Sequence, residues 1–159
     1  MSTYNFRHYS DPDSTFATFL ENNRVALGVP ADRHYVPSND NVYNAFQVDI
    51  SRAYVGDVNN LLRSNIKVLI YNGQDDFVVN TAGVLNYLNG LNWNGIPQWK
   101  RTRKQIWTIG KTVRGWAKVS GNLWFVLVNK AGHMVPTDQP ESAFNMMGHF
   151  IFGDNDWSE

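Results

Sequence analysis

The sequence predicts an α/β fold, in which a sheet with parallel strands is flanked by helices. An apolar run at 66–71, half of it β-branched, is ended by Asn72 and Gly73, and apolar residues at helical spacing precede and follow it. Such a run is typical of a strand buried on both faces of a parallel sheet. Strands and helices then alternate along 66–151, which is typical of α/β domains. The length of 159 residues suits one domain.

The first 64 residues read as helices and loops that lead into this core. Asp13 or Ser14 could cap a first helix, and Gly28 and Pro30 would end it. The apolar face predicted for this helix comprises Phe16, Phe19, Leu20 and Leu27.

Two more helices flank the predicted strand. A polar loop at 38–41 is followed by a helix from Ser51 to Arg63, and Asn80 could cap another helix after the strand. The apolar positions of these helices are Tyr54, Val58, Leu61 and Leu62 in one, and Val84, Leu85, Leu88 and Leu91 in the other.

The last third of the chain predicts a β-hairpin followed by a helix. Val113–Val119 and Leu123–Val128 read as strands, and 120–122 would form the turn between them. Asp138 with Glu141 three residues later matches the capping-box pattern at a helix start. The apolar face predicted for this helix comprises Ala143, Phe144, Met147, Phe150 and Ile151.

Composition excludes several classes of protein. Positive and negative residues both number 14, so no basic field favours nucleic acid or an anionic membrane. The absence of cysteine excludes disulfides and thiolate metal sites, and the histidines show no metal-ligand spacing. No apolar stretch has the length of a signal peptide or a membrane span. The sequence predicts no cofactor and no metal site. Its six tryptophans are expected to serve the packing of the core and loops.

Two loops carry residues that could act chemically. The loop at 74–77 follows the buried strand and contains Asp76, and the loop at 131–136 follows the final strand and contains His133. Open α/β sheets place their sites at the carboxyl ends of strands. In α/β-hydrolases an acid precedes the histidine in chain order. The spacing therefore permits an acid–histidine pair.

In such a pair, His133 would take a proton from a serine hydroxyl and return it to a leaving amine. Asp76 would hold the imidazole tautomer and stabilise the imidazolium. Gly132 would let the backbone bend tightly enough to aim the ring. The residues alone leave other readings open: an aspartate after a strand is often a turn residue or a cap, Asp75 could serve as well as Asp76, and a loop histidine is often only a surface residue.

Three segments resemble the serine carboxypeptidase family. Residues 68–80 (VLIYNGQDDFVVN) resemble the family's segment around its catalytic aspartate, with Asp76 at the matching position. Residues 121–126 (GNLWFV) and 131–140 (AGHMVPTDQP) resemble the segment around its catalytic histidine. Upstream, 19–29 (FLENNRVALGV) resembles the helix that precedes this region, so the likeness covers roughly 15 to 151.

The resemblance implies a fold, a reaction and a site. The fold is the C-terminal part of an α/β-hydrolase sheet, so residues 1–159 would form a partial domain. The reaction is release of the C-terminal residue of a peptide or protein through an acyl-enzyme. By motif position, Asp76 and His133 would be catalytic. Val78 and Val79 would lie near the pocket for the residue before the scissile bond, and Met134 near the pocket for the released residue.

The chain also departs from the family pattern. The family's nucleophile sits in a Gly-x-Ser-x-Gly elbow well upstream of the aspartate, and no serine here has that context; the serines are residues 2, 10, 14, 38, 51, 64, 120, 142 and 158. Gln74 replaces a frequent acidic residue. Val79 and Ser38 stand where family members commonly have cysteine. We therefore expect a serine supplied by a complementary N-terminal chain or segment, and a fragment that is inactive alone.

The resemblance implies a vacuolar, lysosomal or secreted protein, although this chain shows no signal peptide.

Two further functions stay open. One is an acyltransferase of the same fold, because acceptor choice depends on pocket details. The other is a non-enzymatic binding or assembly module, which the missing serine motif and the missing cysteines favour.

Overall fold

A computed structural model describes residues 12–36, 38–50, 52–153 and 155–158. The described residues form two compact units, one before and one after the boundary between 53 and 54.

The first unit contains helices α1 (Pro12–Asn23) and α2 (Asp40–Ile50). Proline suits a first helical position because its missing N–H would have no partner there. Asp13 and Ser14 therefore follow the first helical residue, and the side chains of these two predicted caps lie outside the described part of the chain. The helix also ends earlier than predicted, so Leu27 lies in the turn that follows, where Gly28 has a φ of 69°.

Helix α2 begins within the loop predicted at 38–41 and continues through residues for which no element was predicted. The Asn39 side-chain oxygen accepts hydrogen bonds from the backbone N–H groups of Asn41 and Val42, at 3.0 and 3.2 Å. An Asx residue that satisfies the first free N–H groups is a helix N-cap. The polar cluster at 38–41 was thus a start signal for a helix, and no described side chain of that helix is buried.

The second unit is a four-stranded sheet with flanking helices. Its elements are α3 (Val55–Arg63), β1 (Val68–Gly73), α4 (Thr81–Asn89), α5 (Ile96–Arg101), β2 (Gln105–Ile109), β3 (Thr112–Ser120), β4 (Leu123–Val128), α6 (Val135–Asp138) and α7 (Pro140–Phe152). The strand order is β1-β4-β3-β2. Strand β1 runs parallel to β4, and the other two pairs are antiparallel.

Strand β4 is the centre of the core, and every one of its residues is buried. Trp124, Val126 and Val128 face one cluster of buried residues, and Leu123, Phe125 and Leu127 face the other. The predicted hairpin is confirmed, with Gly121 at the turn at a φ of 58°. The predicted cap of α4 is also confirmed, because the Asn80 side chain accepts from the Gly83 N–H at 2.8 Å.

Strand β2 and helix α5 were not predicted, because polar and basic residues separate the tryptophans of that segment and break up its apolar pattern. Trp99 and Trp107 are fully buried. Their indole N–H groups donate to Asn89 at 3.1 Å and to Asn145 at 2.9 Å. Tryptophan is well accommodated in a core when its one polar group has a partner. The predicted packing role of the tryptophans is confirmed here.

The predicted start of α3 falls on Ser51, which lies outside the described residues; the helix begins at Val55. Val58 and Leu62 face the core, whereas Tyr54 and Leu61 are exposed.

Helix α7 differs most from its prediction. Asp138 does not cap it: Gln139 precedes the helix without a side-chain hydrogen bond, and Asp138 ends α6. The buried face comprises Ser142, Ala143, Met146 and His149, whereas Phe144, Met147 and Ile151 are exposed. The helix is apolar on two sides, so periodicity alone could not choose the face that packs on the sheet. Within the described ranges, every helix is too short or too polar to cross a bilayer.

Candidate active site

Asp76 and His133 meet at one edge of the sheet. Asp76 follows β1 and His133 follows β4, and the carboxyl ends of these neighbouring parallel strands lie together. His133 Nδ1 lies 3.1 Å from Asp76 Oδ2. The Asp76 side chain is 4% exposed and the His133 side chain 49% exposed. The carboxylate is therefore shielded, while the imidazole can be approached from outside.

The Asp76 carboxylate is surrounded by hydrogen-bond donors. Oδ1 accepts from the backbone N–H groups of Val78 and Val79 at 2.8 and 2.9 Å. Oδ2 accepts from the Asn72 amide at 3.3 Å and faces His133. An ionised carboxylate only accepts, so His133 Nδ1 carries the proton in this contact. In the neutral imidazole, Nε2 is then the acceptor.

The loop that carries His133 is fixed by three backbone donors. The N–H groups of Gln74 and Asp75 donate to the carbonyls of Val128 and Ala131, each at 2.9 Å. The Gly132 N–H donates to buried Asp138 Oδ2 at 2.7 Å. Asp138 thus holds the residue next to His133, whereas the sequence pattern predicts that Asp138 caps a helix.

The close approach of the two loops depends on Gly73. A Cβ at this position would collide with the backbone carbonyl oxygens of Ala131 and Gly132. Gly73 was read from the sequence only as the residue that ends the strand. Its second role depends on a contact between distant parts of the chain.

Replacing Gly73 with alanine should lower the free energy of unfolding by about 1–3 kcal/mol, because backbone carbonyls cannot move aside as a side-chain tip can. Urea unfolding of the complete protein measures this. Gly56→Ala is the matched control: apart from the backbone of α3 itself, no atom lies within 4 Å of its Cβ position, so it should stabilise by roughly 0.4–1 kcal/mol. Equal stability of Gly73→Ala and wild type would show that the loops do not meet here.

The remaining predicted site residues lie around this pair. Val78 and Val79 are exposed and line an open cleft of about 440 Å³ together with Tyr87, whose pKa is raised by burial. Val79 also lines the neighbouring cleft of about 270 Å³, which contains Asp76 and His133. Met134 is exposed beside His133 in the chain and lines neither cleft.

Comparison with known proteins identifies the family. The family model described as serine carboxypeptidase matches residues 3–153. The chain belongs to the serine carboxypeptidase family. Its relatives include the venom serine carboxypeptidase of Apis mellifera, 32% identical over 92% of this chain, and carboxypeptidase Y of Candida albicans, 35% identical over 82% of it.

A solved structure supports the same assignment. Kex1(delta)p, a prohormone-processing carboxypeptidase from Saccharomyces cerevisiae, matches 80% of this chain with a TM-score of 0.68 and 26% identity. This likeness confirms the predicted α/β fold with flanking helices. The chain spans 32% of the bee protein, 24% of the Candida protein and 28% of the Kex1(delta)p chain.

Proposed function

We propose that this chain is the C-terminal portion of a serine-type carboxypeptidase, and that it supplies the acid and the base of a Ser-Asp-His triad. The observation that carries the proposal is the 3.1 Å contact between a buried Asp76 carboxylate and a half-exposed His133 imidazole. In this arrangement the carboxylate fixes the tautomer, and the outer ring nitrogen is left to act as a base.

The proposed reaction uses this pair in two proton transfers. His133 Nε2 accepts the proton of a serine hydroxyl as the serine oxygen attacks the carbonyl carbon of the last peptide bond. Asp76 stabilises the imidazolium that forms. When the C–N bond breaks, the imidazolium gives its proton to the amino group of the released residue. Water, deprotonated by the same imidazole, hydrolyses the acyl-serine and regenerates the hydroxyl.

The serine is proposed to come from a complementary N-terminal chain or segment. No serine of this sequence lies in a Gly-x-Ser-x-Gly elbow. Strand β1, which leads into Asp76, pairs with β4 on one side only and ends the described sheet. Its open edge offers backbone groups to a further strand, which would bring new residues beside the Asp76–His133 pair.

The substrate is proposed to be a peptide or protein C-terminus, in line with the name of Kex1(delta)p, which calls that protein a prohormone-processing carboxypeptidase. Val78 and Val79 are proposed to contact the residue before the scissile bond, because they line the apolar cleft beside Asp76. Met134 is proposed to contact the released residue. A secreted, vacuolar or lysosomal location is also proposed, and the bee relative, a venom protein, supports it.

A fluorophosphonate, which phosphonylates activated serines with loss of fluoride, tests the proposal on native protein isolated with an antibody against this sequence. We expect covalent labelling of a serine, either on the same polypeptide or on a co-purifying chain, and release of the C-terminal residue from an N-acyl dipeptide. The alternative is a non-enzymatic module, which the missing elbow favours. Absence of both labelling and hydrolysis would overturn the proposal and support the module.

A further inference from the structure

We propose that Asn72 is the positioning residue that holds the Asp76 carboxylate in the orientation His133 requires. This inference rests on the proposed function. It adds a residue that was read from the sequence only as part of the strand end.

Asn72 is a buried polar residue, 4% exposed, in strand β1. Its side-chain nitrogen donates to Asp76 Oδ2 at 3.3 Å and to the Val79 carbonyl at 2.9 Å. Its side-chain oxygen accepts from the Thr81 hydroxyl at 2.9 Å. A buried amide must have its donors and its acceptor satisfied, and here the partners lie on the loop after β1 and at the start of α4.

The orientation of this amide is determined by its neighbours. The Val79 carbonyl can only accept a hydrogen bond, so the nitrogen of the Asn72 amide must face it. The same nitrogen then faces Asp76. Thr81 reinforces this orientation by donating to the amide oxygen. The Val79 carbonyl and the Thr81 hydroxyl therefore direct the N–H of the Asn72 amide toward the Asp76 carboxylate. This orientation does not depend on the charge of Asp76.

Asn72, Val79 and Asp76 form a closed ring of hydrogen bonds. The Asn72 amide donates to the Val79 carbonyl, the Val79 N–H donates to Asp76 Oδ1, and the Asn72 amide donates to Asp76 Oδ2. The two backbone donors hold only Oδ1. Because the His133 ring is half exposed and changes charge during the reaction, Asn72 is the fixed donor at Oδ2. Its removal should let the carboxylate turn away from the ring.

The test substitutes Asn72→Asp in the complete protein. Ionised aspartate has the same shape and can still accept from Thr81, but it offers no donor to Asp76 or to the Val79 carbonyl. We expect kcat for an N-acyl dipeptide to fall about 100-fold with KM within about threefold, since a small misplacement of a catalytic group costs this much. Asn72→Ser, whose hydroxyl is too short to reach Asp76, should show the same split if Asn72→Asp does not fold.

Asn122→Asp is the matched control. The Asn122 amide also bridges two groups, the carbonyls of Leu62 and Ile66 at 2.8 and 3.0 Å, but it lies at the opposite end of the β1–β4 pair. It should lower the melting temperature without changing kcat. A similar loss of kcat in both variants would mean that Asn72 acts through general stability, and the inference would fail.

A double-mutant cycle separates positioning from any independent effect. In an Asp76→Asn background, Asn72→Asp should change kcat by less than about threefold, because residues that act as a unit are not additive. A further loss of about 100-fold there would overturn the inference.

If the unsubstituted protein neither hydrolyses peptide nor takes the fluorophosphonate label, the proposed function fails. If it does both and Asn72→Asp is as active, only the role of Asn72 fails.

Discussion

Replacing His133 with alanine in the complete protein should abolish fluorophosphonate labelling and lower kcat by about 10⁴–10⁶-fold, the loss measured when a triad base is removed. The reason is local. Asp76 is buried behind the ring and faces it from the inner side, so the carboxylate cannot reach a hydroxyl at the outer side. Without the imidazole, no described group at this edge of the sheet takes over the transfer of the serine proton to the leaving amine.

The fold should tolerate this change. The ring is 49% exposed, and Asp76 keeps its donors from Val78, Val79 and Asn72. We expect the free energy of unfolding to change by about 1 kcal/mol or less. His34→Ala is the matched control, because His34 is exposed in the other unit and should affect neither labelling nor hydrolysis. Full labelling of His133→Ala would show that the proposed base is wrong.

The two principal residues of the candidate site could be found from the sequence because their loops directly follow β1 and β4. Residues that follow parallel strands come to one edge of a sheet, whatever the rest of the fold does. Asn72 and Asp138 could not be found in this way. Asn72 reads as a strand-ending residue and Asp138 as a helix cap. Each acts through a hydrogen bond to another loop residue, Asp76 in one case and Gly132 in the other.

The same limit explains the errors in the fold. Strands β3 and β4 and the cap of α4 were predicted because neighbouring residues determine them. Helix α2 was missed because its start signal, Asn39, stood within a polar cluster that also suits a loop. The face of α7 was misassigned in part because both of its sides are apolar: Ala143 is buried and Phe150 packs on the core as predicted, whereas Phe144, Met147 and Ile151 are exposed. Only the sheet decides that Met146 is buried while Phe144 is 84% exposed. Tertiary packing overrides local patterns in these cases.

Asp76→Asn should lower kcat by about 10⁴-fold in the complete protein, with little effect on KM. The asparagine oxygen would remain at the Oδ1 position, because the Val78 and Val79 N–H groups donate to it there. Its NH₂ group would then lie at the Oδ2 position, where the Asn72 amide already presents a donor. To face this NH₂ group, His133 must take the tautomer in which Nδ1 accepts. Nε2 then carries the proton and cannot act as the base.

Asp75→Asn is the matched control and also tests the choice of acid. Asp75 holds the neighbouring loop through its backbone N–H, which donates to the Ala131 carbonyl at 2.9 Å, and the substitution leaves that bond intact. We expect kcat within about threefold of wild type, as for a polar residue outside the reacting groups. Steady-state hydrolysis of an N-acyl dipeptide and the rate of fluorophosphonate labelling measure both variants. Loss of activity in Asp75→Asn with retention in Asp76→Asn would assign the acid to Asp75, against the contact that the structure shows.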